Sequence, residues 1–221
     1  MTARLDRGFL AGLALATVFV ASAAFVHRGA WPRLARFREE ELLYYPSGFM
    51  VRQAALGYET AAADIAWLRG IQYYGEHRLS DQKFDMIGHV MDIVTELDPR
   101  FVQPYVFGAF VLAQEMKKPE RGLDLLERGM RANPTDWKLA FEIGFLHYVC
   151  RHDASSAARY FTLASRMPGH EDYVERFAAF ANQSAGNTGM AILLWKHVLA
   201  TGNKYMQEVA GRELRRLGAL R

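Results

Sequence analysis

The sequence predicts an all-α chain in which one transmembrane helix precedes a solenoid of helix–turn–helix repeats. Three observations carry this. A run of 19 residues without a charged side chain, Gly8 to Val26, opens the chain. Beyond residue 50 the apolar residues recur at spacings of three and four, and nowhere alternate over a strand's length. Prolines that end apolar stripes fall at 99, 134 and 168, intervals of 35 and 34.

Composition narrows the class further. Of 221 residues, 51% are hydrophobic and 13% aromatic, with only seven prolines; this excludes a disordered chain, a collagen-like fibre and a disulfide scaffold. Cys150 is the single cysteine, so no internal bridge can form. Twenty-seven Lys and Arg against 24 Asp and Glu give a formal charge of +3, too balanced for a nucleic-acid binder.

As a helix the opening run would be about 28 Å long, close to the ~30 Å hydrocarbon thickness. Arg4 and Arg7 precede it; His27 and Arg28 end it. Ala21-Ser22-Ala23 would serve as a signal-peptide cleavage site, but the run continues through Ala24, Phe25 and Val26, which favours an uncleaved anchor. The expected organisation is therefore 1–26 as tail and signal-anchor helix, 27–48 as juxtamembrane linker, and 49–221 as repeat domain. Two arginines before the span and four after it (Arg28, Arg33, Arg36, Arg38) favour a cytoplasmic body on a literal positive-inside count. A short tail before a first apolar span is, however, how exported signal-anchored domains begin. The expected location is a single-pass inner-membrane protein with an extracytoplasmic, periplasmic body.

In the linker, Trp31-Pro32 breaks any helix leaving the membrane, and Pro46-Ser47-Gly48 has turn chemistry. The body then resolves into elements. Phe84, Ile87, Met91 and Val94 form a stripe opened by Ser80-Asp81 and closed at Asp98-Pro99. Leu123, Leu126 and Met130 form the next, between Pro119-Glu120 and Asn133-Pro134. Asp136 caps a helix carrying Leu139, Ile143, Leu146 and Val149. Asp153 caps another with Ala157, Phe161 and Ala164, ended by Pro168-Gly169. Residues 171–185 and 188–200 read as two more, and a last helix runs from about Asn203 with Met206, Ala210, Leu214 and Leu217 on one face.

Small and apolar residues recur in these helices at fixed offsets. They are Gly122, Leu126 and Gly129, then Ala157, Phe161 and Ala164, then Ala191, Trp195 and Val198. Gly75, Gly108 and Gly144 each stand among aromatics. With the junctions Asp98-Pro99-Arg100-Phe101 and Ala132-Asn133-Pro134-Thr135-Asp136-Trp137, the chain resembles the tetratricopeptide repeat family, helix–turn–helix units of about 34 residues. The resemblance spans residues 68–200, about four units, with 50–67 as a leading helix and 203–221 as a capping one.

No catalytic constellation emerges, so the expected protein is not an enzyme and takes no cofactor or small-molecule substrate. His147, Cys150 and His152 lie close enough to raise a metal site, but no fourth ligand is placed; a structural histidine and a buried thiol are expected instead, with no metal. Asp64 and Arg69, beside Trp67, read either as an ion pair facing a partner or as a buried pair fixing the first hairpin. Six basic residues over 196–221 suit the polar face of a capping helix.

The resemblance implies that the first helix of each unit lines a concave groove. It assigns the partner-facing role to Arg69, Gln72 and Glu76 in the first unit, and to Phe107, Val111, Gln114 and Glu115 in the second. Lys138, Phe141 and Phe145 follow in the third, then Asp172, Glu175 and Asn182 in the fourth. This mixture suits an extended peptide or a helix and lacks the run of basic residues that clamps a carboxylate in chaperone-binding relatives. The expected function is a membrane-anchored protein–protein interaction scaffold of a bacterial-type envelope assembly (pilus, secretion or biogenesis complex), held by residues 8–26. The alternatives are a constitutive subunit using a convex or edge surface, and a metal-binding protein.

Overall fold

A computed structural model describes residues 17, 18, 20–22 and 47–220. The chain divides between Tyr45 and Pro46. Residues 17, 18 and 20–22 are helical; the rest of the expected span at 8–26, and the linker up to Pro46, lie outside the described residues. Among the described residues no helix is long and apolar enough to cross a membrane.

From Gly48 onward the described residues are all-α. The helices are α1 (Gly48–Ala55), α2 (Glu59–Arg78), α3 (Ile87–Leu97), α4 (Val102–Phe110), α5 (Pro119–Ala132), α6 (Trp137–Val149), α7 (Ala154–Ala164), α8 (Asp172–Ser184), α9 (Thr188–Thr201) and α10 (Lys204–Arg216). A π-turn, Val111–Glu115, extends α4. Extensive contact is confined to helices adjacent or next but one in the chain.

The expected caps Asp136 and Asp153 are present, and Asn203 caps the last helix. Asp136 accepts from Lys138 N at 2.9 Å, Asp153 from Ser156 N at 2.9 Å, and Asn203 from Met206 N at 3.1 Å, each satisfying a first-turn amide that has no carbonyl partner within its helix. Ser80-Asp81 does not cap α3. Asp81 instead accepts from Lys83 N at 3.1 Å and meets His77 Nδ1 at 2.6 Å, so it closes a turn, and α3 starts six residues later at Ile87. The His77 hydrogen bond also holds the Asp81 carboxyl below its usual range.

The first unit differs from expectation in two further ways. Leu56 and Gly57 adopt left-handed backbone (φ 49° and 95°), which ends α1; no breaker follows until Leu79. One helix, α2, therefore runs straight through the expected boundary between 67 and 68. Nor is Gly75 the counterpart of Gly144. A Cβ at Gly75 would meet nothing within 4 Å, whereas one at Gly70 would lie 2.6 Å from Met91 Cε. Gly70 is the residue that lets α3 approach α2.

The three trios of small and apolar residues are buried throughout. Phe161 anchors one core, its ring 5.1 Å from Phe141 and 5.5 Å from Phe177, among Ala157, Ala164, Val174 and Ala178. Trp195 anchors a second with Ala191, Val198, Ala210 and Leu214. Junction residues tie units together: Asn133 Nδ2 donates to Pro99 O at 2.9 Å, across 34 positions of sequence, and to Gly129 O at 3.1 Å. Tyr105 Oη donates to the same Pro99 carbonyl at 3.3 Å.

The Gly144 position yields a paired test. A Cβ there would sit 2.9 Å from Phe161 Cδ1 and 3.1 Å from Cε1, against a ring wedged between two others. Gly144→Ala should lower stability by about 1–2 kcal/mol, overpacking outweighing the gain in helix propensity. Gly75→Ala, in open space, should raise it by about 0.5–1 kcal/mol. Thermal melts of the two variants read the opposite signs.

Candidate functional site

Among the described residues, one apolar cavity is built by alternate helices. Tyr148 comes from the end of α6, Arg176, Phe177, Phe180 and Ala181 from α8, and Tyr205, Val209, Arg212 and Glu213 from α10, with Phe161 of α7 at the floor; its volume is about 370 Å³. Each side chain arrives by helical spacing. On α8 the face Val174, Ala178, Ala181 is buried, which leaves Arg176, Phe177 and Phe180 flanking it on the open side. On α10 the buried face is Val209, Ala210 and Leu214, and Tyr205 and Arg212 stand exposed beside it.

The rim is rich in uncovered rings. Tyr205 is 60% exposed and Phe180 43%, while Phe180 also packs edge-on to the buried Trp195 at 5.9 Å. Arg176 places its guanidinium carbon 5.5 Å from the centre of the Phe177 ring, a cation–π arrangement. Glu213 is held by its neighbours: Gln183 Nε2 donates to its Oε2 at 2.9 Å, Trp195 Nε1 donates to Gln183 Oε1 at 2.9 Å, and Arg216 Nη1 lies 3.8 Å away. A buried indole on α9 thus fixes, through one amide, the only carboxylate that lines the cavity.

None of the thirteen residues expected to face a partner lines this cavity, though Glu175 and Asn182 adjoin residues that do. Arg69, Gln72 and Glu76 are exposed along α2, and Lys138 and Asp172 are exposed on α6 and α8. Three cannot serve as surface. Val111 is wholly buried in the π-turn, Phe141 is 8% exposed within the ring cluster, and Asn182 is 4% exposed. Asn182 donates to Thr162 Oγ1 at 2.9 Å and to Ala178 O at 2.8 Å, and accepts from Asn187 Nδ2 at 3.2 Å, so it locks α8 to its neighbours.

The others have internal work. Phe107 is wedged edge-on between Trp67 and Tyr74, at 5.5 and 5.1 Å. Gln114 donates to Cys150 Sγ at 3.2 Å, and Glu115 accepts from Tyr74 Oη at 3.4 Å with Arg78 Nε at 3.7 Å. Phe145 packs partly buried against the α6–α8 core. Glu175 Oε1 sits between His170 Nε2 at 3.3 Å and His197 Nε2 at 3.0 Å.

Sequence reasoning missed Arg176, Phe177, Phe180, Tyr205 and Arg212. The signal was present as aromatic residues flanking each apolar stripe at 148, 177, 180 and 205. Periodicity identifies the stripe, however, not which flank faces the next alternate helix.

Asp64 and Arg69 are both exposed; Trp67 is half-buried and packs edge-on to Phe101 at 5.6 Å. Cys150 is half-buried, and burial pushes its thiol up. Burial also lowers the proton affinity of His147, which lies 3.8 Å from Asp153. Among the described residues, no group of three or more His, Cys, Asp or Glu is placed to hold a metal ion. A second concentration of uncovered apolar side chains lies on α1 and α2, where Phe49, Met50, Ile65 and Leu68 are all more than half exposed. The chain matches no known protein-family model and no curated protein.

Two variants probe this neighbourhood. Asn182→Ala leaves the groups around it without partners and should cost about 1–3 kcal/mol in a denaturant titration. Glu142, half-buried on α6, has its carboxyl raised above the ordinary value of 4.5 by burial. A carboxyl raised on folding opposes folding once ionised, so its penalty grows as pH climbs from the unfolded value through the folded one. Glu142→Gln should therefore raise the melting temperature at pH 7, and the difference should close as the pH is lowered below 4.5.

Proposed function

We propose that this chain is a membrane-tethered interaction scaffold. In this reading it is a tetratricopeptide-like repeat array, anchored by residues 8–26, that holds a segment of a partner protein in the groove of an envelope assembly. The observation that carries it is the aromatic cavity supplied by α6 and α8, first helices of the third and fourth units in the repeat reading, and by the capping helix α10. Uncovered rings in a concavity at helix junctions are the usual makings of a protein hot spot. The periodic prolines and the confinement of contacts to near neighbours in sequence support a stack in which each unit touches only the next. A membrane tether would raise the local concentration of the groove towards partners in the same bilayer.

A second reading is favoured by the exposed apolar face of α1 and α2. There the chain would be a constitutive subunit of a membrane complex, buried along that edge. Photo-crosslinking in native membranes separates the two. A benzophenone amino acid in place of Phe180 should trap a polypeptide, and one in place of Leu68 should not; the reverse pattern selects the edge reading. Deleting residues 8–26 should move the chain from the carbonate-washed membrane to the soluble fraction, and retention in the membrane would overturn the anchor.

A further inference from the structure

The cavity between α6, α8 and α10 carries a charge that the described residues do not balance. Arg176 and Arg212 both line it, and among the described residues neither is paired with a carboxylate. Its one acid, Glu213, is already occupied by Gln183 Nε2 at 2.9 Å and faces Arg216 at 3.8 Å. Gln183 is itself fixed by the indole of Trp195, so Glu213 is held in place from the α9 side. Two guanidinium groups therefore stand over an aromatic floor with no paired carboxylate among the described residues.

We propose that this cavity takes a short acidic segment of a partner protein in which a carboxylate side chain neighbours an aromatic one. The proposal rests on the reading of the cavity as a partner-binding groove and adds the chemistry of what enters it. A guanidinium presents a planar fork of donors that matches a carboxylate in two-point contact. Arg176 is already seated over Phe177, so less side-chain freedom is lost when the anion arrives. Phe180 and Tyr205, both well exposed, offer ring edges and faces to an incoming aromatic group. Excluding water around those rings would strengthen the charge contact beside them. Asp172 and Glu208 are exposed on the same two helices, α8 and α10. A broad anionic surface such as a bilayer would be repelled by them, whereas a single side-chain carboxylate reaches past them.

The test uses the full chain in detergent and three labelled decapeptides of Ser, Phe and a variable residue, which is Glu, Gln or Lys. Fluorescence anisotropy should find the Glu peptide bound at least ~10-fold more tightly than the Gln peptide, with the Lys peptide weakest. Arg176→Gln combined with Arg212→Gln should reduce the Glu peptide to the affinity of the Gln peptide and leave the latter unchanged. Phe180→Ala should weaken both, and thermal melts of every variant establish that the fold is retained.

Equal binding of the Glu and Gln peptides, with Phe180→Ala weakening both, overturns the acidic assignment while the groove reading stands. Absence of binding by any peptide, or binding that Phe180→Ala leaves untouched, overturns both. Displacement of the Glu peptide by phosphatidylglycerol vesicles, but not by phosphatidylcholine vesicles, would assign the arginines to lipid instead.

Discussion

The groove depends on the close approach of α6 to α7 at Gly144. With no side chain at 144, the Phe161 ring lies where a Cβ contact would otherwise be 2.9 Å away. Phe161 then serves two structures at once. Its ring packs on Phe141 and Phe177 in the core, and it also closes the floor of the cavity. A side chain at 144 would push outward through Phe161 into the space a ligand would occupy. Core packing and surface shape are thus one constraint, since close-packed interiors transmit volume changes rather than absorbing them.

Electrostatic order at the site comes from a different source. Trp195, wholly buried, has one polar atom to satisfy, and it does so on Gln183. That demand orients the amide so that its nitrogen reaches Glu213. A requirement of the core on α9 therefore sets the position of a carboxylate on α10, while Arg176 and Arg212 have no carboxylate partner among the described residues.

Much of the fold is legible in the sequence because apolar spacing and helix caps are local. Asp136, Asp153 and Asn203 begin their helices as their residue types dictate, and the buried trios follow directly from their offsets. The first unit resisted because Gly70 and Gly75 lie in the same helix and are alike to pattern reasoning; only the position of Met91 distinguishes them. The π-turn at Val111–Glu115 was illegible for a related reason. Its extra residue has no sequence signature. Val111 itself, three positions after buried Gly108, lies on the buried face as uniform helical spacing requires, and the outward role came from the resemblance alone. The expected residues share α6 and α8 with the cavity, on α8 mostly on another flank, and none was placed on α10. The choice between flanks depends on which neighbouring helix stands opposite, and no single helix contains that information.

The hydrogen bond from Asn133 to the carbonyl of Pro99 makes that junction more than a stop. One terminator reaches back to grip the one before it, 34 positions earlier, while Tyr105 holds the same oxygen from the intervening helix. A proline cannot donate through its own nitrogen, but its carbonyl is free to accept, and here it does so twice. That junction consequently acts as a latch: a directional bond, and not sliding apolar contact alone, ties the loop after α3 to the end of α5.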